Sequence, residues 1–277
     1  MLFLWHLGNA INSLVMAKLR CPALMHWPVV VKTEATETSE DVMKTDVLEY
    51  SLDGKSYLGY AAIPEADTFP AVIIAHTWAG RDAFVDRKAE QLAALGYLGF
   101  ALDMYGDGAV GSSVEENSAM MQPLMDDRTE LAARVTAAYR RVVALDGVDP
   151  SKIAIFGYCL GGLVALDLAR TGVDLCGSAS LHGFLIGSEQ LNQEPINAKL
   201  LALHGMRDPM VGDDQLQSFY REMSDKNVDW QMHIYGDAMH AFTNPDADNP
   251  SFGTQYSPAA DRRSWALLVD FLQEVFA

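Results

Sequence analysis

The chain has 277 residues, 49% of them hydrophobic, and 37 acidic against 20 basic side chains give it a formal charge of −17. Such a surface repels nucleic acid and anionic lipid and argues against a polyanionic partner. Three cysteines, Cys21, Cys159 and Cys176, form neither a disulfide framework nor a zinc-binding pattern with the histidines, so a reducing, cytoplasmic compartment without a structural metal is expected.

Residues 1–16 are mostly apolar, but the nearest basic residues, Lys18 and Arg20, follow the apolar stretch instead of preceding it, the wrong order for a secretory signal. No run reaches the ~18 apolar residues of a membrane span, so no membrane partner is expected. Residues 1–40 read as an extension, flexible or the product of a start assigned too early. Met16, Met25 and Met43 offer later starts, and residues 33–41 are polar and acidic. Residues 41–277 read as one domain.

The spacing predicts two strands over 47–52 and 55–63, joined at Asp53-Gly54, a strong hairpin signal. A buried strand over 69–75 leads into His76-Thr77-Trp78-Ala79-Gly80, and a helix over 82–95 stops at Gly96. The next buried strand, 97–102, ends at Asp103-Met104-Tyr105, and a helical stretch over 114–145 is expected to break near Pro123. Further strands follow over 175–181, 199–203 and 229–234, with helices over 213–225 and 257–276. Strands alternating with helices over this length predict a doubly wound, mostly parallel α/β sheet with helices on both faces and the hairpin as an antiparallel edge. In such sheets the working residues sit at the carboxyl ends of the strands, here the segments beginning at His76, Asp103, Cys159, His182, Asp208 and His240.

One segment stands apart. Ile153-Ala154-Ile155-Phe156 reads as a strand buried on both faces, residues 163–170 read as a helix, and Gly157-Tyr158-Cys159-Leu160-Gly161-Gly162 lies between. Glycines flanking a residue in a sharp strand-to-helix turn form a nucleophile elbow, here with cysteine in place of the usual serine. The elbow lifts the sulfur off the sheet and sets it at a helix N-terminus, where the dipole favours thiolate. The alternative is a small buried cysteine among glycines that allow close packing.

A thiol attacking a carbonyl needs a base, and the base needs an acid to hold its tautomer. Cys159, Asp208 and His240 follow the order nucleophile, acid, histidine, each just past an expected strand. His233 falls inside a strand and His76 reads as structural. The Leu160 amide is one expected oxyanion donor, and Trp78 is the choice for the second, with Thr77 as the alternative. Thr77, Tyr105, His182, Phe184, Met239 and Phe242 are the expected pocket residues, with Met206 nearby.

From about residue 47 onward these motifs resemble the dienelactone hydrolase family of α/β-hydrolases, through Gly-Tyr-Cys-Leu-Gly-Gly at 157–162, Asp-Met-Tyr at 103–105, His-Gly-Met-Arg-Asp at 204–208 and His-Ala-Phe at 240–242. The resemblance implies a Cys159-Asp208-His240 triad that opens lactones or cleaves esters through an acyl-enzyme, with no cofactor. It also exposes departures. The family's glutamate in the oxyanion loop corresponds to Thr77, and its two carboxylate-gripping arginines correspond to Asp107 and Asn244. Losing both cations removes the charge-assisted pairing of a carboxylate, although Arg81 and Arg207 remain as cations near the site. The expected partner is therefore a small ester, lactone or thioester with a more apolar body than dienelactone, taken by a monomer or small homo-oligomer. The competing expectations are an idle α/β-hydrolase fold that binds without turnover and a redox-sensing thiol at Cys159.

Overall fold

Along the sheet the strands run β1-β2-β4-β3-β5-β6-β7-β8, and β2 alone runs against the rest. The structure, a computed structural model, describes residues 43–191 and 194–277. The expectations for residues 1–40 lie outside the described residues. β1 (Lys44–Leu52) and β2 (Lys55–Ile63) form the expected hairpin, with Asp53 and Gly54 both at positive φ in its turn. β3 (Phe69–Ala75) occupies the middle of the sheet between β4 (Leu98–Ala101) and β5 (Val148–Tyr158), followed outward by β6 (Gly177–Leu181), β7 (Lys199–Gly205) and β8 (Trp230–Tyr235).

Alternate residues of β3 feed two cores. Ala71, Ile73 and Ala75 pack with α3 (Arg128–Val143), α4 (Leu160–Arg170) and α5 (Asp213–Asp225) on one face. Val72 and Ile74 pack with α1 (Ala83–Ala93) and α6 (Pro258–Phe276) on the other.

Two differences from the sequence reading have a clear local cause. The helical stretch breaks at Asp127, not at Pro123, giving α2 (Val114–Asp126) and then α3. Asp127 is extended, and its carboxylate caps the amides of Thr129 and Glu130, so it starts a new helix. β5 begins at Val148, before the apolar run, because Val148 pairs with Phe69 ahead of a register shift.

Every residue of α4 is buried, including Asp167 and Arg170. Asp167 takes a two-pronged pair from Arg128 at 2.6 and 2.6 Å and a third contact from Arg170 at 3.0 Å. Arg170 in turn grips Glu222 at 2.8 and 2.7 Å. Such mutually paired, hydrogen-bonded charges are the form in which ions survive burial. The two arginines also donate to the Ile186 carbonyl, which fastens the loop after β6 to the helical layer.

Candidate active site

Cys159 sits between β5 and α4 at φ 55° and ψ −115°, a conformation that a side chain tolerates only under tight constraint. The constraint is visible in the glycines. A Cβ on Gly157 would run into the backbone of Gly161, and one on Gly161 would run into the Ala75 carbonyl. Gly162 lies equally tightly against Gly183 and Ser180. The Cys159 amide donates to the Leu181 carbonyl at 3.1 Å, and its carbonyl accepts from Gly162 at 3.1 Å. The thiol is partly exposed. The Leu160 amide, first in the helix, belongs to the set that an α-helix leaves without an internal acceptor.

The loop after β3 is pinned from behind. His76 Nδ1 lies 2.5 Å from the Thr77 carbonyl and its Nε2 accepts from the Met104 amide at 3.1 Å, so the proton belongs on Nδ1. Burial lowers the His76 pKa, against a smaller opposing pull from the Thr77 carbonyl. With that carbonyl turned onto the imidazole, the amide of the same peptide, that of Trp78, points the other way. Tyr105 donates its hydroxyl to the Trp78 carbonyl at 2.8 Å. The buried Asp103 carboxylate collects the amides of Leu58, Tyr105, Gly106 and Gly108, which holds the loop after β4 against β2.

Across from Cys159, His240 is buried and its Nδ1 lies 2.8 Å from Asp208 Oδ2, while Asp208 Oδ1 accepts from the Met210 amide at 2.8 Å. Nε2 has no hydrogen-bond partner of good geometry, yet Cys159 acts on the ring through charge and as a side-chain partner. Burial alone would lower the His240 pKa; Cys159 and Asp208 overcome it and push the value up to about 10. His182 lies beside it, ring centroids 5.3 Å apart, with Nε2 2.8 Å from Thr243 Oγ1. Burial and the neighbouring His240 charge hold the His182 pKa well below its ordinary value.

Cys159 and His240 line one cavity of about 440 Å³, in the range of small-molecule sites. Cys159, His182 and Ala241, which all line it, are non-glycine residues at positive φ, so strained backbone concentrates here.

Of the expected pocket residues, Thr77, His182 and Phe184 line the cavity, as does Trp78. Tyr105, Met239 and Phe242 do not. Tyr105 is spent on bracing the Trp78 loop, and Phe242 is wholly buried against Tyr235 and His182. Met206 points to solvent, 58% exposed. Arg81 is paired with Asp86 at 2.9 and 2.8 Å, and Arg207 is exposed outside the cavity. Asn244 lines the cavity while Asp107 lies exposed outside it. His233 lies in β8, exposed and packed on Tyr235.

Sequence reasoning missed Phe84 and Arg87 on α1, Met121 on α2, Met210, and Phe252. They converge from separate elements, and no local spacing marks them. Among the described residues no group of histidine, cysteine and carboxylate side chains is arranged to hold a metal, and no helix is long and apolar enough to cross a membrane.

A mostly parallel eight-stranded sheet with a sharp strand-to-helix turn at its centre is the architecture of the α/β-hydrolase class. Residues 58–276 match the model of the dienelactone hydrolase family, and the chain belongs to that family. It is similar to the crystal structure of P91, a dienelactone hydrolase-like promiscuous phosphotriesterase from metagenomic libraries, with a TM-score of 0.81 and 31% identity over 85% of this chain and 99% of that one. A structure named m3DLH is similar to the same degree, with a TM-score of 0.81 and 32% identity over 85% and 99% of the two chains. Protein K02A2.1 of Caenorhabditis elegans is 35% identical over 156 residues, 55% of this chain and 98% of that protein.

Proposed function

We propose that the chain is a cysteine hydrolase of small, uncharged esters, lactones or thioesters. The observation that carries this reading is the 2.8 Å His240–Asp208 hydrogen bond on the wall of the cavity that Cys159 also lines. Asp208 holds the proton on Nδ1, so Nε2 is the nitrogen left to serve the thiol. The Cys159 thiolate attacks the carbonyl carbon, and the carbonyl electron pair moves to oxygen to give a tetrahedral oxyanion. The Leu160 and Trp78 amides are the donors for that oxygen, each worth on the order of 10²–10³ in rate. The imidazolium gives its proton to the leaving alkoxide or thiolate as the bond to carbon breaks, leaving an acyl-cysteine. His240 then takes a proton from water, the hydroxide attacks the thioester, and Cys159 leaves as thiolate with the acid as product. With Thr77 in the oxyanion loop, His240 is the group that activates the sulfur.

Substrate charge is read from the lining, where Asp82 and Asp246 stand against Arg87. Asp82 is engaged in capping α1, and Arg87 is exposed. Among the described residues no buried arginine or lysine lines the cavity to grip a carboxylate in two prongs, which supports a substrate without one. P91 is described as a phosphotriesterase, so a phosphotriester joins the esters, lactones and thioesters as a substrate to assay.

The test compares Cys159→Ala with wild type across that panel. Turnover of p-nitrophenyl butyrate by the variant is expected to fall to the uncatalysed background; retained turnover removes Cys159 as nucleophile. Labelling of wild type by one equivalent of iodoacetamide at Cys159, suppressed in His240→Ala, separates an activated thiol from an idle fold.

A further inference from the structure

Trp78 and Phe252 face each other at the cavity, ring centroids 6.5 Å apart and planes inclined by 24°. A direct carbon–carbon contact needs about 3.5–4 Å, so a flat group held between two rings needs about 7–8 Å. With centroids 6.5 Å apart the rings lie within the about 4.5–7 Å of an ordinary aromatic pair, so they are in loose contact and must part to admit a third ring. Phe252 is 50% exposed, so one face of its ring is open to a partner.

The two rings are carried on elements tied to the reacting groups. Phe252 stands at the tip of a small hairpin, β9 (Asp248–Asn249) and β10 (Thr254–Gln255). Its amide donates to the Asn249 carbonyl at 3.0 Å, and the His240 amide donates to the Gly253 carbonyl at 3.0 Å. Gln255 donates back to the His240 carbonyl at 3.1 Å, and Gly253 lies hard against Pro209, next to Asp208. Trp78 sits on the braced loop after β3. A ring between them therefore stands beside the Cys159–His240 pair, with Phe84, Met121 and Phe184 supplying apolar wall around it.

We infer that Trp78 and Phe252 form an aryl-binding slot, and that the preferred substrates are uncharged esters or thioesters bearing a planar aromatic group. The substrate class rests on the hydrolase reading above; the slot itself does not. A small outward movement of the hairpin admits the ring, which then buries the exposed face of Phe252.

Two measurements on the full chain test it. In the first, kcat/KM is compared for 2-naphthyl acetate and trifluoroethyl acetate, each relative to wild type so that intrinsic ester reactivity cancels. Phe252→Ala is expected to lower the naphthyl ester about tenfold and the alkyl ester less than twofold, and Phe252→Tyr to restore the naphthyl preference. An equal effect on both esters overturns the slot. In the second, 2-naphthol is titrated into Cys159→Ala and followed by tryptophan fluorescence, with no turnover involved. Binding about tenfold weaker when Phe252→Ala is added supports the slot, and unchanged binding overturns it even where hydrolysis stands. Retained turnover in Cys159→Ala alone instead sinks the cysteine-nucleophile reading and leaves the slot intact.

Discussion

Around Cys159 the backbone itself is packed solid: Gly157 lies on Gly161, Gly161 on Ala75, and Gly162 on Gly183, with no side-chain hydrogen bond capping the helix that follows. Around His240 the fixing is polar and local: a carboxylate on Nδ1, two backbone hydrogen bonds to the β9–β10 hairpin, and the His182–Thr243 contact beside the ring. One side of the site is thus positioned by the absence of side chains and the other by their presence. A substitution that adds one methyl group damages the first, and a substitution that changes no volume damages the second.

Asp208→Asn is the volume-neutral case and carries the largest effect. Asparagine can keep the contact to Nδ1 only by presenting its oxygen, and presenting its amide instead forces the wrong imidazole tautomer. Turnover of the best ester in the panel is expected to fall by about 10⁴ in kcat, with the melting temperature changing by a few degrees. A loss below tenfold would mean that the carboxylate does not orient the base.

The two sides also differ in what the sequence could reveal. Backbone-on-backbone contact leaves a mark in the letters, because only glycine fits, so the elbow and the strands around it were readable from a short segment. Positions 208 and 240 were readable from chain order and the rule that strand ends carry function. The cavity wall was not. Phe84, Met121, Met210 and Phe252 are joined only by the fold, and each alone looks like any apolar residue. Tyr105 and Phe242 failed as pocket residues for the converse reason: proximity along the chain to a site residue says nothing about which way a side chain faces. The break placed at Pro123 went to Asp127 because a capping carboxylate outcompeted a proline the helix could absorb.

Gly161→Ala probes the packed side at lower cost. Its new methyl group meets the carbonyls of Ala75 and His76, so α4 must separate from β3. A stability loss of about 1–3 kcal/mol by urea denaturation is expected. The same displacement spreads the Leu160 and Trp78 amides, so kcat should fall more than KM rises. Gly236→Ala, whose new methyl group enters open space, is the control and should stay within about 0.5 kcal/mol. Equal losses in the two variants would show that elbow packing is not what holds Cys159.

The finest probe is the titration of His240 itself, because it reads the two sides acting on each other. Burial pulls its pKa down, and Cys159, then Asp208, pull it up, leaving a value of about 10 against an ordinary 6.5. The raised value means that the ring is protonated through neutral pH and loses its proton only as the pH climbs toward 10. His182, His76 and His204 are all pushed the other way by burial, so they lose their protons below the ordinary histidine range. In a ¹⁵N-histidine NMR titration the His240 ring of wild type should therefore still be protonated above pH 7, where His76, His182 and His204 are neutral. Cys159→Ala removes the foremost upward influence while leaving burial and Asp208 in place, so the midpoint should drop by at least about one pH unit. An unmoved midpoint would mean that sulfur and imidazole are not in contact across the cavity, whatever each side's own packing is.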